Sequence, residues 1–118
     1  MQKNKSARDK IRAATVGNKT IVKSKIMTIE GVDIEIFAPT LEQSQFIESK
    51  IEADEKDFTP RLLWTLIVLC KVPGTNERIF EEADYDTLMK KPAEGFIEKL
   101  YLGIRSLSTM DVVEEKKS

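Results

Sequence analysis

The stretch IMTIEGVDIEIF, residues 26–37, decides the N-terminal half of the fold. Apolar and acidic side chains alternate in its second half, and a period of two predicts a strand that is buried on one face. The residues placed on that face are Val32, Ile34 and Ile36. Glu30 and Gly31 separate two such runs and predict a tight turn. We therefore expect a β-hairpin from about residue 22 to residue 37, which must lie on helices or pair with another chain because an isolated hairpin is only marginally stable.

Beyond Pro39 the sequence changes from strand-like to helical. Thr40 followed by Gln43 is a capping-box pattern, in which the two residues satisfy each other's free backbone amides. We therefore expect a helix that begins there and runs to about Ala53. The acidic segment 52–57 predicts a loop.

The most apolar segment of the chain is residues 60–72. Thr59 is a typical capping residue, and Pro60 has the restricted φ that suits the first helical position. The apolar residues leave one polar stripe, on which Thr65 lies beside Arg61. The β-branched end of the segment also fits a buried strand, but the cap favours a helix over residues 60–72. A helix that is apolar on most faces is either central in the core or shared with a partner.

The C-terminal segment has the clearest helical period in the chain. Between Ala93 and Leu107 the apolar residues recur with helical spacing and occupy an arc of about 140°. These residues are Ala93, Phe96, Ile97, Leu100, Tyr101, Ile104 and Leu107. Leu102 falls on the opposite side among charged and polar residues, so it is a candidate contact with a partner. A shorter helix is expected from Asp84 to about Lys90.

Together these elements predict a mainly α fold. It would be a small helical domain of about four helices, with an N-terminal β-hairpin and a basic N-terminal arm. We expect a flexible arm over residues 1–20, a single globular domain over residues 21–108 and a polar tail over residues 109–118. The sequence of the arm also allows a short helix from Ser6 to Thr15.

Charge is distributed unevenly along the chain. Residues 1–25 hold eight of the 19 basic residues and one of the 20 acidic residues, so they carry +7 and the other 93 residues carry −8. Such an arm could bind nucleic acid or an acidic protein surface. A small nucleic-acid-binding or regulatory protein that uses residues 3–25 is therefore the alternative function. The acidic body, and the lack of aromatic residues among the basic ones, argue against it.

The residue inventory excludes several kinds of chemistry. The chain has no histidine, which removes the commonest general base and metal ligand, and its single cysteine excludes an intramolecular disulfide. Cys70 has apolar neighbours and is expected to be an inert core thiol. The acidic runs lack the spacing of a calcium loop. We therefore expect a protein that is not an enzyme and has no cofactor and no metal site. The longest apolar run, residues 62–70, is too short to cross a membrane.

Residues 31–107 resemble the tail assembly chaperones of long-tailed, lambda-like bacteriophages. The resemblance rests on the apolar helix LLWTLI, residues 62–67, and on turn and helix residues that follow it. The following residues are Gly74, Phe80, Asp84, Leu88, Pro92, Phe96, Leu100 and Leu107. They pack and cap helices, so no catalytic or binding residue is carried over from the family.

The resemblance implies a non-enzymatic assembly factor that acts in the host cell cytoplasm and is absent from the finished virion. It would coat the tape measure protein, a long and largely helical chain, keep it soluble and recruit tail tube subunits. Many copies on one client imply weak contacts reinforced by multivalency, and a weak homo-oligomer. The candidate partner-binding residues in this chain are Trp64, Thr65 and Leu102.

Overall fold

The computed structural model describes the backbone of residues 2–17 and 22–116, and the side chains of residues 6–17 and 22–107. A helix comes first, a β-hairpin follows it, and the rest is helical apart from one short strand. The elements are α1 (Gln2–Thr15), β1 (Ser24–Ile29), β2 (Val32–Phe37), α2 (Leu41–Ser49), α3 (Thr59–Leu69), β3 (Cys70–Lys71), α4 (Tyr85–Met89) and α5 (Phe96–Lys116). A 3₁₀ turn, Glu82–Asp84, leads into α4.

The prediction of a mainly α fold with about four helices is wrong, because the hairpin belongs to a larger sheet. The described residues form five helices and a three-stranded antiparallel sheet of order β1-β2-β3, so the fold is mixed. The helix predicted over residues 60–72 ends at Leu69. The chain then passes directly into β3, where Cys70 lies opposite Ile36. This short strand gives the backbone of buried β2 hydrogen-bond partners that it would otherwise lack.

The hairpin lies where the sequence predicts it. Glu30 and Gly31 form the turn, and both have positive φ, 52° and 80°, as a type I′ turn requires. On the face toward the helices Ile34 and Ile36 are buried. Val32 departs from the prediction, since it lies beside the turn at the end of the sheet and is 62% exposed.

The opposite face of the sheet carries polar side chains that bond to one another across the strands. Ser24 Oγ donates to Glu35 Oε2 at 2.8 Å, and the backbone N–H of Gly74 donates to Glu35 Oε1 at 2.8 Å. These bonds hold the pKa of Glu35 below its usual value, and the bond from Gly74 contributes most. Thr28 Oγ1 donates to Asp33 Oδ1 at 2.7 Å. Glu35 therefore ties both strands of the hairpin to the turn that follows β3.

The two predicted helix starts have different outcomes. The capping box is confirmed, because the N–H of Gln43 donates to Thr40 Oγ1 at 3.1 Å and the N–H of Thr40 donates to Gln43 Oε1 at 3.0 Å. α2 is shorter than predicted and ends at Ser49. Thr59 is the first residue of α3 rather than its cap, and its N–H donates to Asp57 Oδ1 at 3.1 Å. The carboxylate of Asp57 thus satisfies an amide of the first turn.

α5 carries the predicted apolar face into the core. Its buried residues are Ile97, Leu100, Ile104 and Leu107, and its half-buried ones are Phe96 and Tyr101. Ala93 precedes the helix and is exposed. Leu102 lies on the other side and is 58% exposed, as the helical phase predicts. The helix continues to Lys116, so the segment predicted as a polar tail extends it.

The core lies between α3, α5 and the inner face of the sheet. α5 contacts β1, β2 and α3, while α3 also contacts α2 and α4. α5 lies very near the sheet at Gly103. A Cβ atom built there would lie 2.5 Å from Met27 Sδ and 2.7 Å from Ile36 Cδ1. The absence of a side chain at residue 103 therefore lets the helix lie against both strands.

Cys70 lies in this core, as predicted. Its side chain is fully buried, and burial raises the pKa of the thiol to about 12. Because the thiolate is the reactive form of cysteine, such a thiol is inert at neutral pH.

α1 forms within the segment predicted as a basic arm. It is longer than the short helix from Ser6 that the sequence allows. The side chains of residues 7–16 are exposed, including those of Ile11 and Val16. An isolated helix of this length has only marginal stability in water. In the described part of the chain no helix is both long and apolar enough to cross a membrane.

The burial of α5 generates a prediction about stability. Leu100→Ala should lower the free energy of unfolding by about 2–5 kcal/mol, because it leaves a cavity in the core. Leu102→Ala should change that energy by no more than about 0.5 kcal/mol, as exposed substitutions do. Urea denaturation of both variants at low protein concentration measures the difference. Equal losses would contradict the helical phase of α5.

Candidate functional site

Trp64 lies in an aromatic cluster that joins three helices. Its ring is 5.5 Å from the ring of Tyr85 in α4 and stacks on it, and 6.3 Å from the ring of Phe46 in α2, which it meets edge-on. Lys50 Nζ lies 5.1 Å from the centre of the Trp64 ring and 3.7 Å from a carboxylate oxygen of Glu82. Such cation–π contacts stabilise partly exposed clusters. The half-buried Trp64 therefore holds α2 and α4 on α3, and its remaining surface is available to a partner.

Thr65 does not lie on an outward stripe, so this part of the sequence interpretation is wrong. The residue is only 8% exposed. Its hydroxyl donates to the backbone carbonyl of Arg61 at 2.7 Å, one turn earlier in α3. Because the hydroxyl finds its partner inside the helix, the side chain can be buried without an unsatisfied polar group. A charged side chain at this position would be buried without a partner and would destabilise the fold.

The side chain of Thr65 faces a cleft of about 140 Å³ between α2, α3 and α5. At its rim Arg61 forms a two-pronged pair with Glu48, with Nε–Oε2 at 2.7 Å and Nη2–Oε1 at 2.8 Å. Hydrogen bonds from this guanidinium lower the pKa of Glu48. Tyr101 and Arg105 line the other side, 3.3 Å apart at Tyr101 Oη and Arg105 Nη1. The rim groups therefore already satisfy one another.

Leu102 lies on a third surface, the exposed flank of α5. Ile104, one residue beyond Gly103, lines the cleft with Thr65 and Leu69 of α3. Because two residues along a helix differ by about 200°, Leu102 points away from α3. The three predicted partner-binding residues thus occupy three separate places, and the structure does not bring them into one site.

A fourth feature, an apolar groove, was not found by sequence reasoning. It has a volume of about 240 Å³ and lies between the start of α3, α4 and the start of α5. Its apolar lining is Leu62, Leu63, Leu88, Met89, Pro92, Ala93 and Ile97. Met89 is 44% exposed at the rim, where Lys91 supplies a positive charge. No single periodic pattern in the sequence joins Leu88, Pro92 and Ile97, and only the fold shows that the three line one groove.

No group of three or more His, Cys, Asp or Glu in the described part of the chain could hold a metal ion. Each buried side-chain nitrogen or oxygen described has a hydrogen-bond partner. No protein-family model, curated protein or solved structure matches the chain. The surfaces described above and the resemblance of residues 31–107 are therefore the features that bear on function.

Proposed function

We propose that the chain is a non-enzymatic phage tail assembly chaperone. It coats and solubilises the tape measure protein in the host cell cytoplasm, associates weakly with itself and helps to recruit tail tube subunits. The observation that supports this proposal best is the apolar groove between α3, α4 and α5, with a volume of about 240 Å³. The identity of the client comes from the resemblance of residues 31–107 to this class of chaperones.

The groove has the size and lining that an apolar side chain needs. An apolar cavity of about 150 Å³ accommodates benzene, so a groove of about 240 Å³ has room for one or two leucine or phenylalanine side chains. Met89 at its rim is flexible and polarisable, and methionine suits surfaces that accept varied apolar partners. A long helical client offers such side chains at helical spacing along one stripe.

The charge at the rim fits the same kind of client. Lys91 lines the groove and Lys90 precedes it, while both residues are exposed. A client helix that places an acidic residue beside its apolar stripe would gain an ion pair here. Each contact is worth little, since an exposed pair contributes about 0.2–1 kcal/mol. Coating would thus depend on many copies acting on one long chain.

The groove generates a prediction for co-expression with the tape measure protein of the same phage. Met89→Glu should place a charge against the apolar client and lower the soluble fraction of the tape measure protein at least threefold. Leu41→Glu is the matched control, because Leu41 is 84% exposed at the start of α2, away from the groove. It should leave that fraction unchanged. Circular dichroism of both variants checks that the fold is intact.

Two results would contradict the proposal. The first is a tape measure protein that stays insoluble with the unsubstituted chain. The second is an equal loss of solubilisation in Met89→Glu and Leu41→Glu, which would show that the groove is not the client site.

One observation favours the alternative function, a nucleic-acid-binding or regulatory protein that uses residues 3–25. The basic side chains of Arg8, Lys10 and Arg12 are exposed on α1. If this surface binds nucleic acid, phosphate contacts should dominate the affinity. Binding would then be steeply salt-dependent.

A mobility-shift titration tests this alternative. Because counterion release drives phosphate binding, a duplex bound by three or more basic residues should lose about tenfold or more in affinity between 50 and 200 mM salt. Our proposal predicts no shift at either salt concentration. A complex that forms at about 50 mM salt, weakens about tenfold or more at 200 mM salt and is lost in the triple variant Arg8→Ala, Lys10→Ala, Arg12→Ala would favour the alternative.

A further inference from the structure

The outer edge of β1 is open in the described part of the chain. The sheet order is β1-β2-β3, so β1 has β2 on one side and no described strand on the other. The strand spans six residues, Ser24–Ile29, and contains no proline. Ile26, near its centre, is 54% exposed. A regular, exposed edge of this kind is a template for pairing with another chain.

The hydrogen-bond phase of the hairpin shows which groups face outward. The N–H of Ala38 donates to the carbonyl of Lys23 at 2.9 Å, so this pair bonds inward. Bonded and non-bonded pairs alternate along an antiparallel ladder. Residues 25, 27 and 29 therefore bond to β2, and the N–H and C=O groups of Ser24, Ile26 and Thr28 point to the open edge.

We propose that this edge pairs with the same edge of a second copy, antiparallel and centred on Ile26. The outward groups are symmetric about that residue, so a twofold axis there lets both strands satisfy each other with about six backbone hydrogen bonds. This inference rests on one part of the proposed function, the weak association of the chain with itself. The interface forms between two copies without a client.

The side chains in this register are compatible with one another. Ile26 lies opposite Ile26 of the second copy, and Ser24 lies opposite Thr28, which is a favourable hydroxyl pair. Lys25, the one charged residue of β1, lies opposite Met27 and not opposite another lysine. No like charges therefore face each other directly across the axis.

Leu102 adds an apolar contact beside the edge. Gly103 faces Met27 of β1 and Ile36 of β2, which shows that α5 lies over these two strands. α3 leads directly into β3 at the far edge of the sheet, and Leu102 points away from α3. The exposed leucine therefore lies on the β1 side, where the α5 helices of two copies would face each other.

The interface is small, so the dimer is weak. An edge of six residues with one leucine from each copy falls well below the area of about 1,200–2,000 Å² that stable complexes bury. The dimer should form at high concentration and dissociate on dilution. Pairing of this kind joins the two sheets into one continuous six-stranded sheet with twofold symmetry, and the assembly stops at two copies. The groove at α4 stays free for a client.

Sedimentation of the full chain over a hundredfold concentration range is the first test. The unsubstituted chain should shift from monomer to dimer, and Ile26→Lys should weaken dimerisation at least tenfold because it places two charges directly opposite each other. Val32→Lys is the matched control, since Val32 is a similarly exposed apolar residue, 62% exposed, on β2 rather than on the open edge. It should dimerise like the unsubstituted chain.

Cysteine cross-linking tests the register. Cys70 is fully buried and unreactive, so a cysteine introduced at the surface is the reactive thiol. Under mild oxidation Ile26→Cys should form a disulfide-linked dimer, because Cα atoms of a bonded pair lie about 5.5 Å apart. Thr28→Cys should cross-link at least fivefold less, since the two copies of residue 28 would be about 14 Å apart.

Several outcomes would overturn the inference. They are a strict monomer at all concentrations, equal dimerisation of Ile26→Lys and Val32→Lys, and equal cross-linking of Ile26→Cys and Thr28→Cys. Circular dichroism identifies any variant that fails to fold, and the cross-linking pair still decides the register in that case. None of these measurements includes a client. A result that contradicts the dimer therefore leaves the proposed client binding untouched, and a failure of client binding leaves the dimer untouched.

Discussion

The rest of the structure depends on the close approach of α5 to the sheet at Gly103. A Cβ atom there would lie 2.5 Å from Met27 Sδ and 2.7 Å from Ile36 Cδ1, closer than non-bonded atoms come. Met27 is half-buried, whereas Ile36 is fully buried, so a shift of Ile36 would displace close-packed core side chains. A glycine in a helix costs about 1 kcal/mol relative to alanine. That cost is offset because both strands of the hairpin gain a helix against their apolar face.

Two consequences follow from this contact. The inner face of the hairpin is covered, so a hairpin that would be marginal alone becomes part of the core. α5 also lies over β1 and β2 rather than over β3, and α3 fills the other side through its buried residues Leu66, Ile67 and Leu69. The side chains at the centre of this small core are fully buried. Apolar surface stays exposed at two borders of the core, in the groove beside α4 and along the edge of β1. Each of the two proposals uses one of these surfaces.

Much of the local structure could be predicted from the sequence. The hairpin follows from an alternating pattern and a turn with two residues at positive φ, and the start of α2 follows from Thr40 and Gln43 alone. Burial of Leu100 and exposure of Leu102 follow from helical phase. These features depend on residues that are close in sequence, so a single segment carries the whole signal.

The remaining features depend on contacts between distant segments. β3 has only two residues and no alternation of its own, and its pairing with β2 ends α3 without a proline or glycine at the boundary. Thr65 is buried because its hydroxyl bonds to the carbonyl of Arg61, which a polarity pattern does not reveal. The groove combines three segments that are separate in sequence. Only the packed structure brings these residues together.

The role of Gly103 is tested most directly by urea denaturation of Gly103→Val beside Gly95→Val. Nothing lies within 4 Å of a Cβ atom built at Gly95, so it is the matched control near the start of α5. The close contact predicts that Gly103→Val lowers the free energy of unfolding by about 1–3 kcal/mol, the usual cost of overpacking a core, while Gly95→Val changes it by about 0.5 kcal/mol or less. A Gly103→Val variant as stable as the unsubstituted chain would contradict the account, because it would show that α5 does not need a glycine to lie on the sheet.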